Sequence, residues 1–184
     1  FTGSASTGKM LKAHSKLIDE AVPFNMEADS LNASILGEDS FPGSTEFDLF
    51  IKEVQKEMTV KAGQKCTAIR RILVPEKLVE DVQIALGKRL SKTTIGNPSI
   101  KGVRMGSLAG NEQKQEVTEK VIQLSKSQEI VFGDLEEFEV TGAEKNKGAF
   151  FSPILFLNND PFNKNQVRCL KSFQVKFLHY CTLI

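Results

Sequence analysis

Cysteine and histidine are scarce in this chain: three cysteines and two histidines in 184 residues, beside one tyrosine and no tryptophan. Three cysteines cannot all pair within one chain, and a disulfide framework is not expected. No residue set with metal-ligand spacing stands out, and no metal is expected. Long apolar runs are missing too. The longest, Ala149 to Leu157, is interrupted by Ser152-Pro153 and is too short to span a bilayer. Lys/Arg (24) and Asp/Glu (23) are mixed along the chain to a net charge of +1, with no basic stripe and no run of like charge. That balance argues against a nucleic-acid or membrane partner. No signal peptide is present, so the cytoplasm is the expected compartment. The acceptor-like triplet Asn32-Ala33-Ser34 is therefore read as chance. An initiator methionine is also missing. The chain opens with Phe1 at what reads as the end of a strand, and a fragment is expected.

What is present is an ordinary globular composition, 40% hydrophobic and 26% charged, enough for one domain or one domain plus a piece of another. Met10, Leu11, His14, Leu17 and Ile18 recur at helical spacing until Pro23, which places His14 on an apolar, core-facing stripe. Met26 to Leu36 reads as extended. Phe47, Phe50, Ile51, Val54 and Met58 form one helical stripe, capped by Ser44 or Thr45 and read as a core face. Ala68 to Val74 reads as a strand, and Pro75 opens a helix carrying Leu78, Val82, Ala85, Leu86 and Leu90. After a glycine-rich loop, Asn111 caps a further helix with Val117, Val121 and Leu124, and strands are expected at 130–132 and 150–157. Strands alternating with helices predict an α/β fold with an open, mostly parallel sheet and flanking helices. The tail from Gln166 to Ile184 holds Cys169, Cys181 and the tyrosine but no glycine or proline. Its pattern fits neither helix nor clean strand, and it is not expected to join the fold.

Three segments are candidates for chemistry. Gly63-Gln64-Lys65-Cys66 joins a helix to a strand. A thiol there, beside Lys65, is either a nucleophile activated by exposure and nearby charge or an inert core filler. Gly3-Ser4-Ala5-Ser6-Thr7-Gly8-Lys9 has the spacing of a phosphate-cradling loop. The Ser or Thr that such a loop needs next, to hold Mg²⁺, is replaced by Met10. A structural strand-to-helix turn, or one that lets a dinucleotide approach the backbone, are the other readings. Glu27 sits among apolar and small neighbours, as a surface carboxylate or as a partly buried base that activates water.

Taken in order, Phe1-Thr2-Gly3-Ser4, Glu27 and Gly63-Gln64-Lys65-Cys66 resemble the aldehyde dehydrogenase superfamily. Glu27-Ala28-Asp29-Ser30-Leu31, together with the Lys61-to-Arg71 stretch, is similar to one branch. That branch is the aldehyde dehydrogenase domain of the bifunctional ring-opening enzyme of bacterial phenylacetate degradation. The branch's hydratase-like domain has no counterpart here. The resemblance implies a nucleotide-dependent oxidation with Cys66 as nucleophile and Glu27 as the base that hydrolyses the thioester. Members that pass the acyl group to coenzyme A typically lack this Glu, so a free acid is the implied product. Gly3 and Ser4 would bind the cofactor, NADP by branch with NAD as the second candidate. The implied substrate is a small-molecule aldehyde, a semialdehyde linked to coenzyme A, and the full-length family is usually homo-oligomeric.

The implied division is 1–27 as the end of the dinucleotide-binding domain, 28–165 as an incomplete catalytic domain and 166–184 as a divergent tail. Where the family has Glu-x-Phe-Gly-Pro, this chain has Leu170-Lys171-Ser172-Phe173-Gln174-Val175. A frameshifted or truncated gene is therefore expected, with little or no turnover from the chain alone. The contrasting expectation is a non-catalytic remnant or oligomerisation module of the same fold.

Overall fold

The computed structural model describes residues 1–30, 32–159 and the backbone of 175–180. Its N-terminal part is a small parallel pair, β1 (Thr2–Gly3) with β2 (Glu27–Ala28), in register Thr2 to Glu27. Between them run α1 (Ala5–Lys12) and α2 (Ser15–Asp19). Ser4 caps α1, its Oγ accepting from Thr7 N at 3.2 Å. Gly8 lies inside α1 and is buried, because a Cβ there would collide with Met26 Sδ and the Phe1 ring.

The single amphipathic helix expected over this stretch is interrupted. His14 is the cap of α2, with Nδ1 accepting from Lys16 N at 3.3 Å, and it is exposed rather than packed in a core. A histidine ring that offers an acceptor to the next turn's N–H competes with continuing the helix. Met10 (67%), Ile18 (64%) and Val22 (42%) are likewise exposed, since no described element packs against them.

The main sheet has five strands in the order β3-β4-β7-β6-β5. They are β3 (Ala33–Ile35), β4 (Arg71–Pro75), β5 (Glu129–Phe132), β6 (Leu155–Asn158) and β7 (Val175–Tyr180). Parallel pairing is found at β1–β2 and β3–β4; the pairings of β7 with β4, of β7 with β6 and of β6 with β5 are antiparallel. The sequence pattern of the tail predicted no regular element, yet its backbone supplies a central strand. A strand gains most of its stability from partners on both sides, which its own residue pattern does not record. The other tail residues, including Cys169 and Cys181, lie outside the described set.

Helices α3 (Thr45–Thr59), α4 (Val79–Leu90) and α5 (Asn111–Leu124) complete the fold. The α3 stripe is as expected: Phe47, Ile51, Val54 and Met58 are each at most 3% exposed, and Ser44 Oγ accepts from Phe47 N. Pro75 ends β4 and leads through a 3₁₀ turn (Glu76–Leu78) into α4, whose Val82, Leu86 and Leu90 are buried. Alternation along β6 shows how the sheet divides the interior. Leu155 packs into the core under α3 and α4, while its neighbour Phe156 packs into a second core with Val117 and Val121 of α5. Ala62, just after α3, is in that second core. The turn that leads to Cys66 is thereby anchored on the far side of the sheet. No helix among the described residues is long and apolar enough to cross a membrane.

Candidate active site

The chain leaves α3 through a left-handed turn. Lys61 and Ala62 have φ of 53° and 52°, and Gly63 follows at 71°. Each of the two non-glycine residues costs about 1–2 kcal/mol in this conformation, so the surroundings must hold it. They do so through the carbonyls of Lys61, Gly63 and Lys65 and through the Gln64 side chain. Gln64 Nε2 donates to Lys61 O at 2.9 Å, and Gln64 Oε1 accepts from Ala109 N at 2.9 Å. Arg70, only 7% exposed, donates from Nη1 to Gly63 O (2.8 Å) and from Nη2 to Lys65 O (3.1 Å).

Two further side chains reach Cys66 itself. Ser30 Oγ donates to Cys66 O at 2.6 Å, and Asn32 Nδ2 lies 2.7 Å from Cys66 O and 3.2 Å from Ala68 O. Asn32 Nδ2 also donates to Ser30 Oγ at 2.8 Å. The backbone of Cys66 is thus fixed from the β2–β3 connection while its side chain stays exposed. Lys65 was the expected source of positive charge near the thiol. Its ammonium is instead paired with Glu57 at 2.6 Å, both side chains largely buried (23% and 14% exposed).

Cys66 and Glu27 line the same cleft, of about 350 Å³, together with Thr2, Gly3, Asp29 and Asn32. Glu27 enters it from β2 and is exposed, not partly buried as one reading of its neighbours had it. The two-residue strand places it at a rim, where no apolar layer covers it. Gly3 also lines this cleft; Ser4 is directed to the helix cap.

The phosphate-loop alternative fails on local geometry. Gly8 and Lys9 are in the middle of α1, leaving one residue, Ser4, between β1 and the helix, too little chain to wrap a phosphate. At the start of α1, Ser4 Oγ is 3.1 Å from Ser6 Oγ and 2.9 Å from Thr7 Oγ1, a hydroxyl cluster suited to phosphate oxygens. Asp29, itself at φ 52°, places Oδ1 3.0 Å from Ala5 N. The start of α1 is thus occupied by its own serine cap and by a carboxylate.

Ser30, Asn32 and Arg70 were not singled out as site residues from the sequence. Ser30 and Asn32 lie 36 and 34 residues from Cys66, so only the parallel β3–β4 pairing brings them together.

Known proteins resemble this chain over most of its length. Residues 1–166 match the aldehyde dehydrogenase family. A 3,4-dehydroadipyl-CoA semialdehyde dehydrogenase from Aromatoleum evansii is 43% identical over 155 residues, covering 84% of this chain and 30% of that protein. Among solved structures, betaine aldehyde dehydrogenase from Staphylococcus aureus in complex with NAD+ superimposes with a TM-score of 0.71 at 23% identity, over 84% of this chain and 29% of the other. HpcC from Thermus thermophilus gives 0.70 at 22% identity, over 85% and 29%. The chain therefore spans about a third of the length of these relatives. The match over residues 1–166, with the level of identity to the Aromatoleum protein, establishes that the chain belongs to the aldehyde dehydrogenase family.

Proposed function

We propose that this chain carries the nucleophile and base of an aldehyde dehydrogenase that oxidises a coenzyme A-linked semialdehyde to the free acid. The observation that carries the reading is the meeting of Cys66 and Glu27 on one cleft, with the Cys66 backbone held by Ser30 and Asn32. The relative from Aromatoleum evansii, whose name specifies a coenzyme A semialdehyde, supports the substrate class.

In this reading Cys66 Sγ, as thiolate, attacks the carbonyl carbon of the aldehyde. A fixed backbone and an exposed thiol suit that attack, because the nucleophile is held in place while the substrate approaches freely. A nicotinamide cofactor, NADP with NAD as the second candidate, supplies the hydride acceptor when bound; Gly3 and Ser4 would hold it near its pyrophosphate. The product on the protein is then a Cys66 thioester. Glu27 takes a proton from a water that attacks the thioester carbonyl, the C–S bond breaks, and the carboxylic acid leaves with the thiol restored. The complete enzyme would be a homo-oligomer. This chain alone, a third of its relatives' length, is proposed to turn aldehyde over little or not at all.

An activated ester tests the nucleophile without needing the cofactor, since it enters directly at the acyl stage. With p-nitrophenyl acetate the chain should release a burst of nitrophenolate close to one equivalent, abolished in Cys66→Ser. A burst unchanged by Cys66→Ser, or none in the native chain, would favour the non-catalytic remnant.

A further inference from the structure

A second depression, of about 740 Å³, lies between α3 and α4. Five cationic side chains line it, Lys56, Lys88, Arg89, Lys92 and Arg104, against one carboxylate, Asp48. In a chain of net charge +1 this is a concentrated imbalance. Glu53 holds Lys56 at 2.9 Å, whereas Lys88, Arg89, Lys92 and Arg104 make no ion pair among the described residues.

The ends of the helices account for only part of this. Lys56 lies in the last turn of α3, and Lys88 and Arg89 in the last turn of α4, where cations offset the helix dipole. Each helix end supplies only about half an elementary charge. With Asp48 and Glu53 added, roughly two positive charges remain uncompensated. Lys92 and Arg104 are outside both helices, yet they line the same recess. Between the charged walls sit neutral polar groups: Gln55 Nε2 is 3.4 Å from both Thr59 Oγ1 and Thr93 Oγ1.

We infer that this recess binds a small ligand through a diphosphate group. A diphosphate matches the surplus charge. The planar guanidinium groups of Arg89 and Arg104 suit forked bonding to phosphate oxygens, and the lysines add point charges. The recess is bounded by α3, α4 and the segment at Arg104, which favours a compact nucleotide-like anion over an extended polymer needing a continuous basic track. No sequence stripe announces it, because its cations come from three segments that meet only in the fold. The phosphates could belong to coenzyme A, as carried by the proposed substrate, or to a free nucleotide.

Calorimetric titration of the chain at low salt with inorganic pyrophosphate, ADP and coenzyme A tests the inference. It is repeated on Lys92→Gln/Arg104→Gln and on Lys88→Gln/Arg89→Gln, all at exposed positions, with circular dichroism to verify folding. The expected result is saturable binding that weakens about tenfold or more in each double variant and falls with added salt. Much tighter binding of coenzyme A than of the other two supports the inference and assigns the recess to the substrate's nucleotide. Comparable affinities support it and assign the recess to free phosphates. Absence of saturable binding to all three probes, affinities unchanged in both variants, or binding at these residues of an acidic peptide or oligonucleotide alone would overturn it.

Discussion

Replacing Gln64 with alanine should loosen the presentation of Cys66 without touching the thiol. The Gln64 amide makes two well-formed bonds, from Nε2 to Lys61 O at 2.9 Å and to Oε1 from Ala109 N at 2.9 Å. At about 0.5–1.5 kcal/mol for each, their loss removes roughly 1–3 kcal/mol. The same turn stores roughly 2–4 kcal/mol of conformational cost at Lys61 and Ala62. The two quantities are comparable, so the variant should both unfold more easily and relax locally. Urea unfolding followed by circular dichroism should show a lower midpoint with an unchanged slope, corresponding to about 1–3 kcal/mol. Iodoacetamide alkylation of Cys66 and the ester burst should change in the same variant. Gln64→Glu serves as the companion, since it keeps an acceptor for Ala109 N but sets a carboxylate against Lys61 O. If Gln64→Ala stays within about 0.5 kcal/mol of the native chain, the ordinary range of a surface change, and alkylates at the same rate, then Gln64 does not hold the turn.

Asn32→Ala removes the amide that joins Cys66 O to Ala68 O, and should slow the ester burst while leaving the number of thiols titrated by Ellman's reagent unchanged; an unchanged burst rate would count against a positioning role. Leu86→Ala empties a fully buried site under the sheet and should destabilise by about 2–5 kcal/mol in the same urea experiment. Gly96→Ala should destabilise by at least about 1–3 kcal/mol, because the new Cβ meets backbone atoms of Thr141, which cannot rotate away. Backbone N–H bonds from Glu137 and Glu136 hold the Asp134 carboxyl below its usual range. Its contribution is thus present above the ordinary aspartate pKa of about 3.9 and lost as pH falls through the lower folded value. Asp134→Ala should narrow the stability difference between pH 6 and pH 3, as read from thermal midpoints.

Much of the fold could be read from residue spacing where one element's own face decides its burial. The α3 stripe from Phe47 to Met58 and the α4 stripe from Leu78 to Leu90 are long and regular, and both face the core as their periodicity implies. The same rule misled for Met10 to Ile18, where helical spacing continues across a break at Ala13–His14 and the apolar residues face outward. β7 escaped notice because its place depends on hydrogen bonds to β4 and β6, chain segments far from it in sequence. The site divides in a similar way. Cys66 and Glu27 were conspicuous as residue types in short motifs, and the fold gives them a common cleft. Ser30, Asn32 and Arg70 act through backbone carbonyls, a role that any polar residue in the sequence could have filled. The cations of the second recess were hidden by an evenly mixed charge pattern.

The central claim is that Glu27 serves the thioester formed on Cys66, and the lifetime of that adduct tests it most directly. The chain would be acylated with p-nitrophenyl acetate, freed of excess reagent, and followed by intact-protein mass spectrometry. The account predicts a single acetyl group on Cys66 that decays in the native chain and persists about 10²–10⁴ times longer in Glu27→Gln, the usual reach of a general base. Equal decay in the two proteins would contradict it, leaving Cys66 a nucleophile without Glu27 as its base.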